Sequence, residues 1–118
     1  MILSPAIPVL RSFSEEKARE FYVGFMGFKV NWEHRFEPDT PLYLELERSG
    51  VTLHLSEHYG DAAPGAVIFI RIDDIATLHA ELNAKNFRSA RPAIVQQDWG
   101  QVMQIDDPFG NRLRFCQS

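Results

Sequence analysis

Two stretches of the chain repeat their apolar residues at helical spacing, and most of the remainder alternates like short strands. In "SFSEEKAREFYVGFMGF", Ala18, Phe21, Tyr22 and Phe25 fall at i, i+3, i+4 and i+7, one apolar stripe. Ser12 with Glu15 fits a capping box, Glu15 and Glu16 suit the first turn, and Gly27 is a helix stop. In "DDIATLHAELNAKNF" the same spacing joins Ile75, Leu78, His79 and Leu82, with Asp74 as cap and Asn86 as left-handed terminator. Strand patterns occupy "PAIPVL", "FKVNWEHRF", "AVIFIRI" and "AIVQQ". "LYLELERSGVTLHLSE" reads as a hairpin around Ser49-Gly50, and "QVMQIDDPFGNRLRFC" as a second one turning on Asp107-Pro108-Phe109-Gly110.

Shifting the chain by 60 positions superposes its halves. Ile7 then meets Val67, Ser14 meets Asp74, Ala18 meets Leu78, and "GVTLHL" (50–55) meets "GNRLRF" (110–115). Each half reads strand, helix, strand, strand, strand. The pattern predicts an α+β fold of two βαβββ modules in a single domain over 1–118, split at about 1–60 and 61–118. "HYGDAAPG" is the linker. Two such sheets are expected to enclose a concave surface able to surround a small molecule.

Composition narrows the partners. Of 118 residues, 16 are acidic and 12 basic, a formal charge of −4, which argues against a nucleic-acid partner needing a basic surface. The single cysteine, Cys116, excludes an intrachain disulfide and a Cys-rich zinc site, and reads as a small buried group. No apolar run approaches the roughly 18 residues of a membrane span. The opening "MILSPAIPVL" has no signal-peptide pattern, so a soluble, cytoplasmic protein is expected. No nucleophile elbow and no glycine-rich phosphate loop is present.

"GVTLHLSEHYGD" raises the question of a metal, because His54, Glu57 and His58 crowd into five positions. Alternation puts His54, Ser56 and His58 on one strand face and Leu53, Leu55 and Glu57 on the other. Across an extended strand His54 and His58 stand about 13 Å apart, too far to share an ion. His54 is expected as a polar wall residue instead. On the neighbouring strand Tyr43, Glu45 and Glu47 share a face, which lines a cavity if it points inward and serves solubility if it points to water. Trp32 stands between Asn31 and Glu33, and Trp99 between Asp98 and Gly100 at a turn. Such placements suit ligand contact as well as an interface role. His79 reads as a core or edge residue, His34 and Arg35 as solvent-facing, and Phe109 as the tip of a turn.

The duplicated pattern, "AREFYVGFMGFKV" and "DPFGNRLRF" together resemble the glyoxalase/bleomycin-resistance (vicinal oxygen chelate) superfamily over nearly the whole chain. Metal enzymes of that superfamily take one ligand from the first strand and one from the last strand of each module. Those positions fall here near Ile7, at His54, near Val67 and at Arg114. His54 alone among them can donate to a metal, and catalytic zinc keeps at least three protein donors. The resemblance therefore implies the metal-free bleomycin-resistance branch: homodimers that sequester a drug in grooves between subunits, two aromatic side chains sandwiching its planar bithiazole tail. Trp32, in "GFKVNWEHRF", and Trp99, in "QQDWGQVM", stand at the matching places. Each ring adds about 0.5–1.5 kcal/mol of stacking beyond buried area.

The expected function is stoichiometric binding of a bleomycin-like or other planar molecule, without chemistry, metal or cofactor. Its site residues would be Trp32, Trp99, His54, Tyr43 and Glu45. Two alternatives stay open: a metal-dependent lyase or dioxygenase with relocated ligands (His54, His58 and Glu57 or Glu45), and a binding protein for another metabolite.

Overall fold

The computed structural model describes residues 1–87 and 91–118. They form two compact units, Met1–Pro64 and Gly65–Ser118. The first contains β1 (Val9–Arg11), α1 (Glu15–Ala18) running into a π-helical segment (Arg19–Phe25), β2 (Lys29–His34), β3 (Tyr43–Arg48) and β4 (Val51–Ser56). The second contains β5 (Val67–Arg71), α2 (Ile75–Ala84), β6 (Ile94–Gln97), β7 (Gly100–Asp106) and β8 (Arg112–Gln117). Each unit is a four-stranded mixed sheet with the same connectivity, β1-β4-β3-β2 in one and β5-β8-β7-β6 in the other. The first strand of each pairs in parallel with the last, Val9 opposite His54 and Phe69 opposite Arg114, so the registers repeat at the 60-residue offset.

One face of each sheet is sealed by its helix. In the first unit Leu44, Leu46, Leu53 and Leu55 are buried, as are Ala18, Phe21, Tyr22, Phe25 and Met26 of the helical stretch. The π-type winding, with Met26 N–H donating to Phe21 C=O at 2.8 Å, lets the pairs Phe21/Tyr22 and Phe25/Met26 both turn inward. In the second unit Ile75, Leu78 and Leu82 are buried along with Met103, Ile105, Leu113 and Phe115, and His79 is half-buried beside that stripe. Strand alternation then sends the intervening side chains to the opposite, open face.

Four local expectations change. The first strand is shorter than "PAIPVL": Pro5 and Pro8 have no N–H to give a ladder, and Pro8 contributes through its carbonyl, which accepts from His54 N–H at 3.0 Å. The helix cap is Ser14 and not Ser12. Ser12 still extends the sheet, its N–H bonded to Ser56 C=O, while Ser14 Oγ accepts from Lys17 N–H at 3.2 Å. Arg35 is not simply solvated; its guanidinium pairs with Glu15 and donates to Thr40 C=O. Phe109 is buried rather than presented at a tip, because Asp107 folds the turn inward. The Asp107 carboxylate accepts from Phe109 N–H, Asn111 N–H and Asn111 Nδ2, each at 2.8 Å. The Ser49-Gly50 hairpin, with both residues at positive φ, and the Asn86 terminator at φ 48° form as the sequence predicts.

Candidate functional site

The open face of the first unit gathers Trp32, Tyr43, Glu45 and His54. The β3–β4 register sets Glu45 opposite His54, and the β2–β3 register sets Trp32 opposite Glu45. A bulge between Val30 and Trp32 makes room for an extra residue, Asn31, whose amide donates to Glu45 at 3.0 Å and to Glu47 at 3.3 Å. The face that carries Tyr43 and Glu45 is thus the one away from the helix.

The rings are organised against one another. Trp32 and Tyr43 lie parallel, centroids 5.8 Å apart and planes 7° from one another. His54 meets both edge-on, at 5.3 Å from Trp32 and 5.1 Å from Tyr43. Polar atoms are chained as well. His54 Nε2 stands 3.0 Å from Glu45 Oε1, and His54 Nδ1 stands 2.7 Å from the Tyr43 hydroxyl. With Glu45 ionised, Nε2–H donates to the carboxylate, so Nδ1 is left to accept from the phenol. Hydrogen bonds from His54, then Asn31, with Trp32 contributing less, hold the Glu45 carboxyl below its ordinary range. Burial, with the Asp61 and Glu45 charges adding to it, pushes the Tyr43 phenol up, which keeps it protonated and able to donate. Trp32 nevertheless keeps 44% of its surface exposed.

Trp99 belongs to the other unit. It occupies the two-residue turn between β6 and β7, where Gln97 pairs with Gly100, and is 60% exposed. Gly100 is required there: at φ 140° a Cβ would come within 2.4 Å of Gln117 C=O. Trp99 lines a depression of about 410 Å³ together with Val95, Val102, Gln104, Arg91 and Arg114. The sequence did not suggest Arg114 or Gln104 as candidates for ligand contact, Arg114 entering there solely as a failed metal ligand. Their shared open face, readable from strand alternation, was the missed signal. A wider depression of about 740 Å³ in the first unit, lined in part by Phe13, Glu15, Arg35 and Glu57, contains none of the five candidates.

The metal-ligand positions of the superfamily fit poorly here. Ile7 and Val67 have no lone pair, Arg114 is cationic, and the residue that the register places beside His54 on the first strand is Val9. The relocated set does not converge either. Glu57 points away and accepts from Leu42 N–H at 3.1 Å, and among the described residues no group of three or more His, Cys, Asp or Glu side chains is placed to hold a metal ion.

The model of the glyoxalase superfamily protein family matches residues 1–118, and the chain belongs to that family. No curated protein matches it by sequence. Among solved structures it is similar to a bleomycin resistance determinant encoded on the transposon Tn5, at TM-score 0.75 and 25% identity, covering 98% of each chain. A bleomycin-binding protein complexed with bleomycin gives TM-score 0.77 at 23% identity over 98% of this chain and 99% of that one. TnmS3, an antibiotic binding protein from Streptomyces sp. CB03234, gives TM-score 0.75 at 23% identity over 99% and 98%. The paired βαβββ fold is common to all of them. No helix among the described residues is long and apolar enough to cross a membrane.

Proposed function

We propose that this chain is an antibiotic-binding protein that sequesters a bleomycin-type drug, or a similar planar small molecule, without chemistry. It acts as a cytoplasmic homodimer whose grooves lie at the subunit interface. The observation that carries this reading is the Trp32–Tyr43 stack, held on an open sheet face with the Glu45 carboxylate beside it. A pre-stacked aromatic pair gives a flat heteroaromatic ligand a rigid surface at little ordering cost, and an ionised carboxylate next to it draws a cationic end group. The bleomycin-binding and antibiotic-binding neighbours support the same ligand class. Trp99, exposed on its hairpin turn, supplies the second ring.

Fluorescence titration with metal-free and copper-loaded bleomycin tests the reading. Saturable quenching at micromolar drug that Trp32→Ala abolishes is the expected outcome. No quenching, with Trp32→Ala indistinguishable from wild type, rejects it. Elemental analysis after dialysis separates the enzyme alternative, which requires a stoichiometric zinc, nickel, iron or manganese ion.

A further inference from the structure

The open face of the second unit is basic, although the chain as a whole is acidic. Along β8, Leu113 and Phe115 are buried while Arg112 is exposed and Arg114 half-buried, so both arginines project away from the core. The β5–β8 register adds Arg71, opposite Cys116, two positions along from Phe69, which stands opposite Arg114. Arg91 joins them at the rim of the 410 Å³ depression. Asp106 is the carboxylate that the register places on this face, opposite Arg112. Among the described residues none of Arg71, Arg91, Arg112 and Arg114 forms an ion pair with a carboxylate.

Arg114 is nonetheless oriented. Its Nε and Nη2 both donate to Gln104 Oε1, at 3.3 and 2.9 Å, and Gln104 Nε2 in turn donates to Asp106 at 3.2 Å. The neutral amide steers the guanidinium without pairing its charge, and among the described residues no other group bonds its remaining N–H groups, which can grip a bidentate anion. The same depression is walled by the Trp99 ring and by Val95 and Val102, and its volume lies within the range of about 300–1,000 Å³ typical of small-molecule sites. That size, and the net charge of −4, favour a small ligand over a polyanion.

We infer that this depression selects planar ligands bearing an acidic group, a carboxylate seated on Arg114 while the ring system lies against Trp99. The inference rests on the reading of the open faces as ligand-binding surfaces, and it assigns to one of them a chemistry opposite to that of the Glu45 face.

Isothermal titration of 2-naphthoate against its neutral isostere 2-naphthamide is the test, with bleomycin titrated in parallel. The acid should bind at least about tenfold more tightly than the amide, as expected for one charge-assisted bidentate contact. Arg114→Gln should remove the preference for the acid over the amide, whereas Trp99→Ala should weaken both. Raising the salt to about half-molar should weaken the acid alone, a readout that needs no variant should Arg114→Gln fail to fold. Equal affinities for acid and amide in the wild type, binding of neither probe, or an acid preference insensitive to both salt and Arg114→Gln would overturn the inference. Bleomycin binding without acid preference sinks this inference and leaves the proposed function standing; acid preference without bleomycin binding does the reverse.

Discussion

In the first unit His54 stands opposite Glu45 and Val9; at the same register in the second unit Arg114 stands opposite Gln104 and Phe69. The inner faces of the two sheets are near copies. Leu53 and Leu113, 60 positions apart, are both fully buried, Ser14 and Asp74 cap equivalent helices, and Gly50 and Gly110 turn equivalent hairpins at positive φ. The outer faces part company. One satisfies itself with a ring stack and a phenol–imidazole–carboxylate chain, while the other, among the described residues, leaves its cations without anionic partners around an open depression. A shared core therefore fixes the sheet and leaves the solvent side free to acquire different chemistry, which is the physical basis for the two dissimilar ligand surfaces proposed on one repeat.

Equivalent cores and unlike open faces predict equal stability losses in the first and unequal ones in the second. Leu53→Ala and Leu113→Ala should be the most damaging changes and should resemble each other, each costing about 2–5 kcal/mol in urea unfolding because each leaves a cavity in an equivalent core. If one of the two costs under about 1 kcal/mol, the inner faces are not equivalent. The outer faces should differ. His54→Ala removes two hydrogen bonds and two ring contacts and should cost about 1–2 kcal/mol, whereas Arg114→Ala should stay within about 0.5 kcal/mol. Equal losses would mean that Arg114 is a structural group. For the caps, Ser14→Ala and Asp74→Ala should each lower stability by about 1 kcal/mol. Ser12→Ala should leave the helix signal in circular dichroism unchanged, since its side chain caps nothing.

The smallest effect is a pH dependence confined to the first face. Glu45 has a folded-state pKa held below its ordinary 4.5, so its stabilising contribution is complete above that value and disappears as pH falls through the lowered one. The melting-temperature gap between wild type and Glu45→Gln should be open at neutral pH and closed in strong acid. A gap that widens on acidification would contradict the assigned hydrogen bonds.

Much of this was legible in the chain because burial leaves a periodic trace. The stripe Ala18-Phe21-Tyr22-Phe25 and the alternation of Tyr43, Glu45 and Glu47 with Leu44 and Leu46 place the core, and hence the face on which Glu45 and His54 meet. The 60-residue offset even pairs Ser14 with Asp74, which locates the cap that the capping-box pattern at Ser12 misassigns. What the pattern does not carry is register and bulge. Nothing in "KVNWEHR" announces that Asn31 is the extra residue, so the Trp32–Tyr43 stack and the Asn31 bridge to two glutamates follow from backbone geometry that local propensity does not encode. The arginine face was hidden for a different reason. A net charge of −4 averages over the chain and masks a local excess of the opposite sign.

The two indole N–H groups offer the most direct test of the claim that both open faces bind ligand. Each gives its own resonance in a nitrogen–proton correlation spectrum, assigned by Trp32→Phe and Trp99→Phe. Titration with metal-free bleomycin should move both resonances together and saturate at one drug per chain. Saturable binding that leaves either indole signal in place would contradict the account.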